Sequence, residues 1–123
     1  MSTARAISKY IRISPRKARL AAGLIRGRSV PYATTQLMFS SLRGGRLLMK
    51  TLDSAVANAL TQYDARREDL VIKDVRIDAG PTLKRSKSKN KGGSHPILKR
   101  TSHFTIVVGT GVESADAVST GKE

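Results

Sequence analysis

Apolar residues recur with two different periods along this chain, and each change of period marks an element. Residues 6–13 read AISKYIRI. Ile7, Ile11 and Ile13 fall on one face at period two, with Lys9 as the exception, and Ser8, Tyr10 and Arg12 fall on the other. That pattern predicts a half-buried strand with a charged outer face. Ser14-Pro15 then starts a helix. A serine hydroxyl accepts a bond from an unpaired first-turn amide, and proline at the first helical position lacks only a donor that would go unused there. Leu20, Ala21, Leu24 and Ile25 form its apolar stripe, and Gly27 is a natural stop. Val30-Pro31 opens a shorter helix over residues 32–41, with Ala33, Leu37 and Met38 as its stripe.

Gly44-Gly45 breaks the pattern, and the strongest helical period follows over residues 46–63. Leu48, Leu52, Ala55, Val56, Ala59 and Leu60 make its core-facing side, and small residues at Ala55, Ala57 and Ala59 allow close packing. After a charged loop at 64–69, the chain returns to period two. Val71, Val75 and Ile77 alternate in a strand over 70–78, and Phe104, Ile106 and Val108 alternate in another over 102–109.

Between those two strands lies a segment that cannot bury itself. Residues 80–100 read GPTLKRSKSKNKGGSHPILKR, with seven Lys or Arg and no acid, and residues 86–94 carry no aliphatic or aromatic side chain. If the flanking strands pair antiparallel, this segment is their hairpin connection, with turn chemistry at Asn90, Lys91, Gly92 and Gly93. A turn near Asn90 places Val75 opposite about Thr105. Each limb beyond the domain is then about nine residues, a reach of about 30 Å. The polar tail, residues 111–123, is expected to be disordered, which leaves one domain over residues 1–110.

Charge sharpens this picture. The 123 residues carry a formal net charge of +14. Such an excess points first to nucleic acid, second to a membrane surface, and otherwise to a solvated basic face. Eleven basic residues precede the first acid, Asp53; the acids then gather up to Asp78, and the next is Glu113. Two basic stretches therefore flank a mixed middle, and their convergence would make one phosphate-binding surface. The candidate RNA-binding residues are Arg5, Lys9, Arg12, Arg16, Lys17, Arg19, Arg26 and Arg28 in the first stretch. In the second they are Lys84, Arg85, Lys87, Lys89, Lys91, Lys99 and Arg100.

Catalytic readings find little. There is no cysteine, so disulfides and thiolate metal sites are excluded. His95 and His103 have no ligand partner at a recognisable spacing, and no metal or cofactor is expected. No apolar run reaches the roughly 20 residues of a membrane span, and the N-terminus lacks a signal peptide's apolar core. Asp64, Glu68 and Asp69 read as solvated charge, and Asp74 and Asp78 as suited to cross-strand ion pairs or to restraining Arg76. A DNA regulator using helices over 14–41 is a second reading, weakened because the segment PYATTQLMFS carries no charge. An RNA-acting enzyme dependent on His95 or His103 is a third. Scarce aromatics disfavour a paired single-strand stacking module.

Four collinear segments carry a family resemblance: SPRKARLAAGLIRG at 14–27, LDSAVANA at 52–59, VRIDAGPTLKR at 75–85 and LKRTSHFTIVV at 98–108. The chain resembles the ribosomal L22 (uL22) family, of bacterial or organellar type, over about residues 5–109. The resemblance implies an α+β fold: three helices packed on a small three-stranded antiparallel sheet, with a long protruding β-hairpin. It implies a non-enzymatic constituent of the large ribosomal subunit in the cytoplasm or an organelle. Its implied partners are 23S-type rRNA, neighbouring large-subunit proteins and the nascent polypeptide, with neither a membrane nor a homo-oligomer. It also implies a role in early assembly and a hairpin tip lining the peptide exit tunnel. Carried onto this chain, that tip is Lys87, Ser88, Lys89, Asn90, Lys91, Gly92, Gly93, Ser94 and His95. The commonest bacterial tip is richer in Arg and Ala, with Arg after the turn glycine, where this chain has Gly93-Ser94 followed by His95-Pro96.

Overall fold

A computed structural model describes residues 3–88 and 94–110. Its elements run β1 (Thr3–Ile11), α1 (Pro15–Ala22), α2 (Val30–Met38), α3 (Arg43–Tyr63), a 3-10 turn (Arg67–Asp69), β2 (Leu70–Ala79), β3 (Leu83–Ser88), β4 (Ser94–Lys99) and β5 (Ser102–Thr110). β5 lies between β1 and β2, antiparallel to both, while β3 and β4 form a separate two-stranded sheet. The fold is therefore the expected α+β arrangement of three helices on a three-stranded antiparallel sheet with a hairpin. The turn residues Lys89 to Gly93 and the expected disorder of 111–123 lie outside the described residues.

The central strand obeys its pattern: Phe104, Ile106 and Val108 are fully buried against the helices. Helix α3 supplies Leu48, Leu52, Ala55, Val56 and Ala59 to the same core. The Ser14 hydroxyl caps α1 by accepting from the Lys17 amide, with Pro15 just inside. Val75 pairs with Ile106, one residue from the expected Thr105.

The departures have identifiable causes. In β1 the buried residues are Ala4 and Ala6, and Ile7 is exposed. Register shifts between Ser8 and Ile11, where Tyr10 sits at φ 59°. One extra residue in a strand reverses which parity faces the core. Even positions therefore point inward before the bulge, and Ile13 is buried after it. β2 repeats this with a shift between Ile72 and Asp74: Leu70 and Ile72 face the core before it, Val75 and Ile77 after it. Val71 is buried yet lies outside that core cluster.

Helix α1 ends at Ala22, and hydrogen-bonded turns carry the chain to Gly27, whose φ of 77° suits glycine. Its core face is Ala18, Ala21 and Ala22, with Ile25 just beyond; the expected Leu20 and Leu24 are exposed, as are Met38 of α2 and Leu60 and Ala57 of α3. Gly44-Gly45 does not break the chain but opens α3, and both residues are buried. A Cβ on Gly44 would lie 3.3 Å from the Ala21 Cβ and 3.4 Å from the Ala18 Cα. The glycine and the alanines of α1 let the two helices approach closely.

The outer strands are closed by side chains from the helical layer. On β2, the Arg26 guanidinium donates to the Val75 carbonyl at 2.7 Å and Arg19 donates to the Ile77 carbonyl at 2.9 Å. The Ile72 amide donates to the Arg28 carbonyl, and Ser29 bridges to Val71. On β1, the Asn58 side-chain amide donates to the Arg5 carbonyl. An unpaired strand edge invites intermolecular pairing, and these contacts blunt it. Replacing Arg19 and Arg26 together by alanine should lower unfolding stability by about 1–3 kcal/mol, since two carbonyls lose charged donors. Urea unfolding checks this, and an unchanged midpoint would show that the contacts are dispensable.

Candidate nucleic-acid interface

The hairpin arm joins the domain at a tightly built root. Ala79 pairs with Ser102 on one side of it and Leu83 with Lys99 on the other, so residues 80–82 face only residues 100–101. Pro81 has no amide hydrogen to continue the ladder, and the two sheets separate here. The root is locked instead by specific bonds. The Gly80 amide donates to the Thr101 carbonyl at 3.0 Å, and the Thr101 hydroxyl donates to the Pro81 carbonyl at 2.6 Å. Buried Ser102 donates its hydroxyl to the Ile13 carbonyl. His103 accepts at Nδ1 from the Tyr10 amide, and its ring meets the Tyr10 ring edge to face at 5.0 Å.

Beyond the root the arm keeps strict register, from Leu83 opposite Lys99 to Ser88 opposite Ser94. No arm residue belongs to the hydrophobic core among the described residues. The cations Lys84 and Arg85 are exposed. The backbones of Lys87, Ser88, Ser94 and His95 lie within the paired strands, whereas Lys89, Asn90, Lys91, Gly92 and Gly93 are outside the described residues.

Where the arm meets the domain there is an open cleft of about 560 Å³, lined by Arg12, Ile13, Ser14, Lys17, Arg43, Leu98, Lys99 and Arg100. Three separate pieces of chain contribute. Arg12 follows β1, Lys17 lies in the first turn of α1 and Arg43 opens α3; Lys99 and Arg100 end the returning limb of the arm. Five cations thus converge with no carboxylate among the lining residues. Ion pairs among the described residues include Arg66 with Glu68 and Asp69, and Arg76 with Asp74, none of which lines this cleft. The Asp74 pair restrains Arg76, as its position on the strand suggested.

The cleft brings together Arg12, Lys17, Lys99 and Arg100 from the two basic stretches. Arg43, which lies in the first basic stretch but is not among the candidates, joins them. A second cationic patch, with Arg43, Arg46, Leu47 and Lys50, continues from it along α3. Arg43 and Arg46 sit in the first turns of a helix with no acid there, where the backbone dipole disfavours cations. That arrangement costs stability in the free protein and suits an incoming anion. The remaining candidates are dispersed. Arg5 and Lys9 are exposed on β1, and Arg16 is exposed on α1. Arg19 and Arg26 each direct one N–H at β2, and the Arg28 guanidinium lies 5.0 Å over the Tyr32 ring. Among the described residues there is no cluster of three metal-ligating side chains, and no helix is long and apolar enough to cross a membrane.

Comparison with known proteins agrees with this architecture. The family described as ribosomal protein L22p/L17e matches residues 6–109. The chain is 75% identical over 108 residues to the large ribosomal subunit protein uL22 of Protochlamydia amoebophila, covering 88% of this chain and 97% of that one. It is 59% identical over 105 residues to the uL22 proteins of Chlamydia trachomatis serovar L2b and of Chlamydia pneumoniae, covering 85% of this chain and 95% of each.

Proposed function

The chain belongs to the ribosomal protein L22p/L17e family, and from that premise we propose that it is a structural, non-enzymatic constituent of the large ribosomal subunit that grips 23S-type rRNA at the root of its arm. The cleft carries this reading: five cations from distant parts of the chain face one open space without a carboxylate. Phosphates would neutralise charges that otherwise repel one another, and their contacts position RNA without reading its sequence. Exposed Lys84 and Arg85 extend the cationic track along the arm.

Residues 1–110 act as one unit, in which the arm reaches inward through RNA and residues 87–95 form the tip facing the nascent polypeptide. Engagement of several RNA segments by cleft and arm suits a role in early assembly, beside neighbouring large-subunit proteins and as a single copy. The protein then resides on cytoplasmic ribosomes. Neither the regulator nor the enzyme reading has a supporting feature: α2 bears no charge, and His103 is engaged by Tyr10.

Deleting residues 85–95 tests the arm apart from the domain. Because no described residue of the arm joins the core, the variant should melt within a few degrees of the full chain. Large subunits that contain it should still retain the protein through a high-salt wash, with altered cross-linking between the tunnel wall and a nascent chain. Unfolding of the variant would refute the arm as an independent extension. Release of the full-length protein by the wash would refute deep embedding in RNA.

A further inference from the structure

Tyr10 is the one aromatic residue held in a left-handed backbone conformation, at φ 59°. The residue is 62% exposed. The fold explains the backbone and not the ring. The bulge needs an extra residue there, and the bond to His103 Nδ1 needs an amide hydrogen. Glycine or asparagine would supply both with less strain. The phenol ring is instead steadied by the perpendicular His103 ring at 5.0 Å, in a residue that stays largely exposed. Non-glycine residues held in such strained backbone cluster at active sites and ligand clamps.

The surroundings identify the ligand. Exposed Lys9 and Arg12 flank Tyr10 along the chain, and Arg12 is also a wall of the cationic cleft. β1 holds no acid. The nearest carboxylate by strand register is Asp78, which lies opposite His103 on the far side of β5 from β1. An aromatic face set between cations fits a nucleotide, with its base on the ring and its phosphates on the basic side chains.

We propose that Tyr10 is a stacking platform for one unpaired base of the RNA whose backbone occupies the adjoining cleft. This rests on the RNA-binding reading above and adds a contact that phosphate neutralisation does not supply. Unpaired bases splayed from RNA are recognised by stacking on aromatic side chains. One such platform, rather than a pair, reads the presence of a base more than its identity.

The test uses the full chain and in vitro transcribed 23S-type rRNA. The complex is irradiated for zero-length cross-linking, digested and mapped by mass spectrometry, and salt-dependent affinities are measured for wild type, Tyr10→Phe and Tyr10→Asn. The expected result is a nucleotide adduct on Tyr10. Tyr10→Phe should bind close to wild type. Tyr10→Asn should lose about five- to a hundredfold in affinity, with an unchanged salt slope and an unchanged or higher melting temperature. Wild-type affinity in Tyr10→Asn, together with no adduct at Tyr10, would overturn the platform while leaving phosphate binding intact. Failure of the wild type to bind rRNA would overturn both. The adduct decides even if Tyr10→Asn does not fold, because it is read on the wild-type chain.

Discussion

Replacing Gly80 by valine should destabilise the protein by about 2–6 kcal/mol, the largest loss expected from any single surface-loop substitution here. A Cβ at this position would lie 2.5 Å from the Thr101 Oγ1 and 3.1 Å from the His103 Cε1. Neither neighbour can give way cheaply. The Thr101 hydroxyl is bonded to the Pro81 carbonyl, Thr101 is 3% exposed, and His103 holds the Tyr10 amide. Moving the threonine strands a buried hydroxyl, and moving the imidazole releases the β1 bulge. Small domains have only about 5–15 kcal/mol in hand. Thermal unfolding should therefore shift down by about 10 °C or more. Gly80→Ala should show a smaller loss of the same sign, because its Cβ meets the same oxygen. A valine variant that melts like wild type would mean that the root adjusts freely, and the arm's direction would then not be set there.

The contrast with the arm itself is instructive. Deleting many residues from the arm is predicted to be almost neutral for the fold, yet adding three carbons at its root is not. Stability follows burial and bond satisfaction rather than the amount of chain removed. The root is where a solvated, cationic hairpin is joined to a packed sheet, and it is built from Gly80, Thr101, Ser102 and His103 around Ile13 and Tyr10.

Much of this was legible in the sequence, and the illegible parts share a cause. Period two survives in β5, so Phe104, Ile106 and Val108 could be read directly as core. The 3–4 spacing of α3 and the Ser14-Pro15 helix start are local signals, and both hold. Period two puts Ile7 and Val71 on the wrong face because a bulge follows each of them, and a single inserted residue inverts parity without changing composition. Gly44 reads as a breaker until α1 is laid against it, when the missing Cβ becomes a packing requirement. The same reasoning applies to charge. An acid-free N-terminal stretch up to Asp53 announces a polyanion, but only the fold selects which cations face one another. Arg19 and Arg26 look like phosphate ligands and each caps a strand edge, whereas Arg43 looks unremarkable and completes the cleft.

Neutralising the cleft should have the largest effect on binding. In a variant with Arg12, Lys17, Arg43, Lys99 and Arg100 all replaced by glutamine, up to five phosphate contacts are removed and their counterions are no longer released. The slope of log affinity against log salt should fall by about 3 to 4. If the affinities of variant and wild type converge near 1 M salt, the loss at 0.1 M is on the order of a thousandfold or more. Stability should move the opposite way or not at all. The five side chains have no ion-pair partner among the described residues, and removing mutually repelling charges relieves the compact state. That opposition separates the cleft from the strand-edge arginines, whose loss should lower stability first. Filter binding to 23S-type rRNA across a salt series, with thermal unfolding of the same samples, measures both quantities. A variant with an unchanged salt slope would show that phosphate is gripped elsewhere. A variant that bound weakly only because it had unfolded would show that the cleft cations belong to the architecture rather than to the interface.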